Sequence, residues 1–303
     1  MTIGKTLSGQ RSFRRRASFV ADYDWTIFSG SNAPVAVHHR PDGGNLYYCH
    51  TLPRFAYDLF DWYLTSLPAW QRPAFRLLAS YVRREYENAL TLMDHIIANS
   101  ENVRNRLNHY LGLDAEVIHP PCDVYGYQWQ GQEDFYLSTA RLEPYKRVDR
   151  IIEAFRSMPD KKLVVASGGS DESRLKRLAQ DADNIYFTGW VSEEELKRLV
   201  GTAIATIYVA KDEDFGMSPV ESMAAGKPVI GNAEGGLLET VIHEETGILL
   251  PAYPEPSDIA EAVRNLTLKR AQDMRHACQE RASQLSRERF LDNMTRAIER
   301  ITR

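Results

Sequence analysis

Cysteine is scarce in this chain: Cys49, Cys122 and Cys278 are the three in 303 residues. An odd number without metal-ligand spacing argues against a disulfide framework and points to a reducing, cytoplasmic setting. Long apolar runs are missing too, and none approaches the roughly 20 residues that span a bilayer. Met1–Ala17 carries Arg11, Arg14, Arg15 and Arg16 with no apolar segment behind them, so it does not read as a signal peptide. It reads first as a solvated charge run, and second as a loose contact with anionic lipid headgroups at the inner membrane face. Net charge is -4, so there is no global basic field for a nucleic acid. No Gly-x-Gly-x-x-Gly follows any strand, which argues against a nicotinamide-dependent oxidoreductase. No internal repeat or low-complexity tract is present. What remains, 43% hydrophobic and 26% charged residues over 303 positions, is the composition of a soluble globular protein with room for two domains.

The second half repeats a strand-then-helix rhythm. Strands are expected at 134–139, 162–167, 184–188, 202–209, 228–231 and 247–250, with helices between them. One helix opens with Ser192-x-x-Glu195, a capping box. Such alternation gives a parallel sheet covered on both faces, with ligands at the carboxyl ends of its strands. The first half has four expected strands, 25–29, 46–49, 95–98 and 115–119, and helices at 72–92 and 101–111. Gly126–Glu133 reads as the linker, and 287–301 as an amphipathic helix crossing back to the first domain. The domains expected are therefore 1–126, 127–285 and a final helix, 286–303.

Glu213 and Glu221 flank the start of a helix in Lys211-Asp-Glu-Asp-Phe-Gly-Met-Ser-Pro-Val-Glu221. The first lies in a loop beside Phe215-Gly216, and the second lies on the helix, stopped by Gly226 and Pro228. Two acids with the free amides of Met217 and Ser218 between them suit a ligand with hydroxyls at both ends and an anion in the middle. A sugar nucleotide has that layout, although two acids alone also fit an acidic loop before an amphipathic helix. Arg141 and Lys146 follow the first strand of the second half. There a planar fork and a point charge could clamp a diphosphate, or could be ordinary surface cations. Arg147 and Arg150 read as solvated helix charges. Trp190 and Val191 end a strand and offer backbone groups to a nucleobase edge, with Trp190 as a core residue the competing reading. Gly231–Gly236 resembles an anion-cradling turn.

Taken in order, Ala140-Arg-Leu-x3-Lys146, Phe187-x-Gly-Trp190, Glu213-x-Phe-Gly-x4-Glu221-Ser-Met-Ala, Lys227-Pro-Val-Ile230, Gly235-Gly-x2-Glu239 and Thr246-Gly-Ile-Leu249 resemble the retaining glycosyltransferases of family four. Tyr48-Cys-His-Thr-x-Pro-Arg54, Tyr57-Asp58, Ala98-Asn-Ser100 and Ile118-His-Pro-Pro121 resemble the O-antigen and capsule mannosyltransferases among them. The resemblance implies a GT-B fold, two Rossmann-like α/β lobes facing a cleft, with the first lobe incomplete by about 80 to 100 residues ahead of Asp24. It makes Arg141 and Lys146 the diphosphate clamp, Glu221 the holder of the ribose hydroxyls and Glu213 the contact to the donor sugar. His50 would reach the sugar from the other lobe, with Asn99 and Ser100 nearby. Transfer would retain configuration, from GDP-mannose ahead of a UDP-sugar, to a glycan or lipid-linked acceptor, with no cofactor and no metal. The alternative is a non-catalytic nucleotide-sugar-binding relic or regulatory protein. A lobe short of strands leaves an apolar sheet edge, which invites oligomerisation.

Overall fold

Short β-branched runs and one-sided helices alternate along most of the chain, and the computed structural model pairs the runs into two all-parallel sheets. Residues 3–302 are described, with side chains over 8–300. Backbone contacts divide the chain into two units, one of residues 1–119 and 293–303, the other of residues 120–292.

In the first unit, β1 (Trp25–Ser29), β2 (Gly44–Cys49), β3 (His95–Ala98) and β4 (Glu116–Val117) lie side by side in chain order. Tyr47, Cys49 and Ala98 are fully buried, packed with Leu78, Val82 and Tyr86 of the helix Arg72–Leu90. β1 is an edge strand that leaves Trp25 and Ile27 substantially exposed. The basic stretch at the amino terminus departs from expectation. Met1 and Thr2 lie outside the described residues, but Ile3–Arg16 is a helix, with Gln10 buried and Arg14 paired to Glu85. A carboxylate on the neighbouring helix Arg72–Leu90 turns part of a solvated charge run into a packed element.

In the second unit, β5 (Tyr136–Ser138), β6 (Leu163–Val165), β7 (Ile185–Phe187), β8 (Thr206–Tyr208), β9 (Val229–Asn232) and β10 (Gly247–Leu250) take the order β10-β9-β8-β5-β6-β7. Leu137, Val165, Ile207, Val229 and Ile230 have no measurable exposure, as strands covered on both faces should. The helix Val148–Arg156 shows the matching one-sided pattern, burying Val148, Ile151, Ile152 and Phe155. The order reverses between β5 and β8. The chain runs outward through β6 and β7, then returns to the other side of β5, leaving a crevice at the carboxyl ends of those two strands.

The expected linker is instead part of this unit. The backbone amides of Gln130 and Glu133 bond to Gly201 and Thr202, and Trp129 is packed between Lys227 and Arg275. The connection falls earlier, at His119-Pro120. The last helix, Arg287–Thr302, begins in the second unit and ends in the first, where Met294 and Ala297 are buried. Glu116 accepts from His95 Nε2 at 3.0 Å and also binds Arg300. Burial raises the Glu116 carboxyl, but the hydrogen bonds from Arg300 and His95 outweigh it, and the net shift is downward. A carboxyl lowered in the folded state contributes stability above its unfolded value and loses it as pH falls through the folded one. Protection factors for amide exchange over residues 293–300, taken relative to the intrinsic rate at each pH, are therefore expected to fall on acidification below about pH 4.5. In Glu116→Gln they should already be lower at neutral pH. Identical protection in variant and parent would refute this anchoring.

Candidate functional site

The loops after β5 and β8 meet where the strand order reverses. Lys146, in the short turn Pro144–Lys146 after β5, is buried and reaches Glu213 Oε2 at 2.5 Å. Its ammonium also donates to Tyr208 Oη at 2.8 Å, and that hydroxyl donates to the same Glu213 oxygen at 3.0 Å. Burial, then the Glu213 charge, pushes the Tyr208 hydroxyl well above its ordinary pKa, so it stays a donor. The amide of Lys211 completes the seam by bonding Tyr145 O at 2.8 Å. Tyr208 had no role in the reading of the sequence. Its position at the carboxyl end of an expected strand was the available signal.

Arg141 stands in the same loop but is exposed, with no carboxylate within 4.0 Å among the described residues. Its charge still acts on Tyr208, lowering that hydroxyl slightly. The loop that carries it rests on Gly168-Gly169: Leu142 N donates to Gly168 O, and a Cβ on Gly169 would lie 2.3 Å from Leu142 O. Trp190 is 71% exposed, so it is not a core residue. A Cβ on Gly168 would come within 2.5 Å of its indole nitrogen, which places the ring over the glycine pair. Val191, beside it, is half-buried.

The glycine-rich turn after β9 is built for close approach to the acidic loop rather than as an open cradle. Gly236 N donates to Glu213 O at 2.8 Å, and a Cβ there would lie 2.4 Å from the Phe215 Cα. Gly235 sits at φ 62°, where a Cβ would meet Glu213 O at 2.5 Å. Arg147 braces the same turn and corrects the expectation of a solvated charge. It is buried, pairs with Glu234 at 3.1 Å and lies 4.2 Å from the Tyr253 ring centre. Arg150 is likewise held, by Glu255 at 2.5 Å.

Phe215 is buried beneath the start of the helix Met217–Ala224, and Gly216, at φ 94°, precedes it with no capping side chain. The amides of Met217 and Ser218 thus belong to an uncapped first turn, where the helix dipole favours an anion. The Met217 sulfur touches Cys122 Sγ at 3.5 Å, and Ser218 is half-buried. Glu221 lies one turn further on, bonded to the Tyr127 hydroxyl. Burial, with Asp123, pushes its carboxyl above the usual range, and Lys197 and Tyr127 offset only part of this. Tyr127 went unnoticed in the sequence because its segment read as linker.

His50 belongs to the other unit, directly after β2. It is exposed, shares a 2.9 Å hydrogen bond with Ser29 Oγ and meets the Tyr48 ring edge-on at 4.9 Å. Asn99 and Ser100 follow β3. Ser100 caps the helix Glu101–Leu111 by accepting from Val103 N, and bonds Asn99 through its hydroxyl. Its cap role gives Ser100 a structural reason to be there.

Residues 126–285, more than half of the chain, match the family described as glycosyl transferases group 1. The chain belongs to that family. Among curated relatives, a D-inositol 3-phosphate glycosyltransferase of Mycobacteroides abscessus is 25% identical over 216 residues, covering 64% of this chain and 48% of its own length. A GDP-mannose-dependent alpha-(1-6)-phosphatidylinositol dimannoside mannosyltransferase of Mycobacterium tuberculosis is 29% identical over 180 residues, 57% of this chain and 46% of its own. The chain thus spans about half the length of these curated relatives. A crystal structure of Anabaena HepE in complex with UDP and glucose superposes with TM-score 0.72 at 16% identity, over 95% of this chain and 80% of that one. The fold is the expected one, two Rossmann-like α/β units of the GT-B class.

A glutamate whose carboxyl is raised in the folded state contributes stability below its unfolded value and loses it as pH rises through the folded one. Ionised Glu221 is thus a cost to folding at neutral pH. Glu221→Gln is expected to melt no lower than the parent, as checked by calorimetry. Marked destabilisation would refute this account of its burial.

Proposed function

We propose that this chain binds a nucleotide-sugar donor in its second unit and transfers the sugar, mannose ahead of other hexoses, to a glycan or lipid-linked acceptor with retention of configuration. The observation that carries the reading is the Lys146–Glu213 pair spanning the reversal in strand order, with Arg141 left open beside it. An ammonium has three donors. Tyr208 and Glu213 occupy two of them, and the third is available to a phosphate oxygen. Arg141 supplies a planar fork to the same diphosphate, and the uncapped turn at Met217-Ser218 adds partial positive charge. Glu221 accepts from the ribose hydroxyls, Glu213 faces the sugar, and Trp190 with Val191 borders the base. His50 is assigned to the sugar from the first unit, on the strength of the motif that contains it.

The transfer then runs on one face of the sugar. The bond from the anomeric carbon to the diphosphate oxygen breaks, and the acceptor oxygen forms its bond on the side just vacated. A phosphate oxygen takes the acceptor proton, so atoms and charge balance without an enzymic nucleophile. The transition state is oxocarbenium-like, and catalysis comes from holding the departing diphosphate and orienting the reactants. The name of the mycobacterial mannosyltransferase supports mannose and GDP, and the UDP in HepE keeps a uridine donor within the same chemistry.

The first unit supports a peripheral membrane contact. Lys and Arg outnumber Asp and Glu there by 16 to 12, against 21 to 29 in the second unit. Trp70, in the turn just before the helix Arg72–Leu90, and Leu77, on that helix, are 79% and 74% exposed, and Arg76 and Arg84 are exposed on the same helix. An amphipathic indole and an exposed leucine among arginines suit the headgroup region of an anionic bilayer.

Lys146→Ala removes a buried ammonium from Glu213 and Tyr208, so it tests the loop as much as the ligand. Arg141→Ala is the cleaner probe. Loss of a charge-assisted bond of roughly 1.5–3 kcal/mol should weaken GDP or UDP binding about 10- to 150-fold, read by calorimetry. Glu221→Gln should bind the nucleotide more weakly than the parent. The parent's affinity should fall on acidification with a midpoint above the usual 4.5, a step missing in the variant. Unchanged nucleotide affinity in Arg141→Ala would defeat the donor assignment. Tight donor binding with no transfer from any donor would favour a binding protein over an enzyme. Co-sedimentation should show binding to phosphatidylglycerol vesicles, weak binding to phosphatidylcholine, and loss in Trp70→Ser/Leu77→Ser. Equal binding by that variant would remove the membrane face.

A further inference from the structure

The second unit holds an open pocket of about 390 Å³ between residues 124–129 and the helices Met217–Ala224 and Arg275–Ser283, with Tyr127, whose hydroxyl bonds Glu221, as the wall it shares with the donor side. It lies toward the amino end of β9. Lys227, two residues before that strand, sits directly beneath Trp129, which lines the pocket. Lys146 and Glu213 stand at the carboxyl ends of the same sheet.

Its lining has two components. Tyr125, 71% exposed, presents an aromatic face, the kind of surface on which the C–H face of a sugar ring stacks, while Trp129 forms part of the wall beside Lys227 and Arg275. Gln128, Gln279 and Ser283 add amide and hydroxyl groups that pair with ring hydroxyls. The charge around them is one-sided. The Arg275 guanidinium lies 4.4 Å from the Trp129 ring centre, and Lys227 Nζ lies 3.4 Å from the same ring. Among the described residues neither has a carboxylate within 4.0 Å, in a unit where acids outnumber bases. Lys227 spends a hydrogen bond on Gly131 O, while Arg275 opens onto the pocket. Burial, then the charge of Arg275, pushes the Lys227 ammonium down to about 7, so the two cations work against each other. An anion in the pocket relieves that repulsion.

We propose that this pocket is a second saccharide site, selective for a sugar ring bearing a carboxylate or phosphate and separate from the donor site. The ring stacks on Tyr125, and Arg275, held beside Trp129, binds the acid group. A titration without donor tests it independently of the donor reading. The side-chain amide and indole signals of the full chain are followed by NMR during additions of methyl glucuronide, glucose 6-phosphate, methyl glucoside and inorganic phosphate. The glucuronide or the sugar phosphate should bind at least about tenfold more tightly than the glucoside, and which does so identifies the acid group. Arg275→Gln should remove that preference. Tyr125→Ala, at an exposed position, should weaken all three sugars while leaving the fold intact. Saturating GDP should leave the titration unchanged. Equal affinity for charged and neutral sugars, binding of phosphate as tight as of the sugars, displacement by GDP, or no shifts up to about 10 mM would each overturn the proposal.

Discussion

The site of the second unit depends on one ion pair placed where the parallel sheet changes direction. β5 and β8 are neighbours in space but 67 residues separate Lys146 from Glu213. The chain must complete two βα units and return before the carboxylate meets its ammonium. Both side chains are largely buried, with 8% and 17% exposure, so each charge offsets part of the other's desolvation. Tyr208 supplies the third corner and fixes one oxygen of Glu213, leaving the ammonium one donor in reserve. A contact that holds two loops together is therefore also the one offered to a ligand.

Around that pair, backbone proximity sets the remaining geometry. The acidic loop and the turn after β9 approach so closely that side chains at Gly235 and Gly236 would collide with Glu213, Asp214 and Phe215. Arg147, tied to Glu234, holds the turn from the other side. Gly168 and Gly169 perform the equivalent service for the Arg141 loop and Trp190. The glycines in these motifs thus let the loops after β5, β6, β7, β8 and β9 pack closely against one another.

The two units differ in charge and in surface. The first has a basic excess and carries the exposed Trp70 and Leu77, while the second has a net acidic excess in which Arg141, Arg275 and Lys227 stand without a carboxylate partner among the described residues. Pairing many of its cations with carboxylates leaves the unpaired ones to attract an anion without making the whole surface sticky for one.

The sequence by itself determined the architecture. The ten strands of the described residues were legible, those at the centre of the second sheet because strands buried on both faces must be continuous apolar runs, and amphipathic helices because they must show a 3.6-residue period. It also determined the candidate residues, since Glu213, Glu221, Arg141 and Lys146 stand at strand ends or helix starts, positions that local pattern reveals. Tertiary structure decided their partners. That Lys146 pairs with Glu213, that Arg147 is buried against Glu234, and that Trp190 is exposed all depend on contacts between segments far apart in the chain. The misread segments share that cause. Residues 126–133 have the composition of a linker, and the arginines near the amino terminus that of a solvated tail. Lys227 and Arg275 pack against the first and Glu85 pairs with the second, and each arrives from a distant part of the sequence. Local composition measures what a segment prefers when alone. A cation over an indole, or a carboxylate on the next helix, changes the outcome only once the fold has brought the two together.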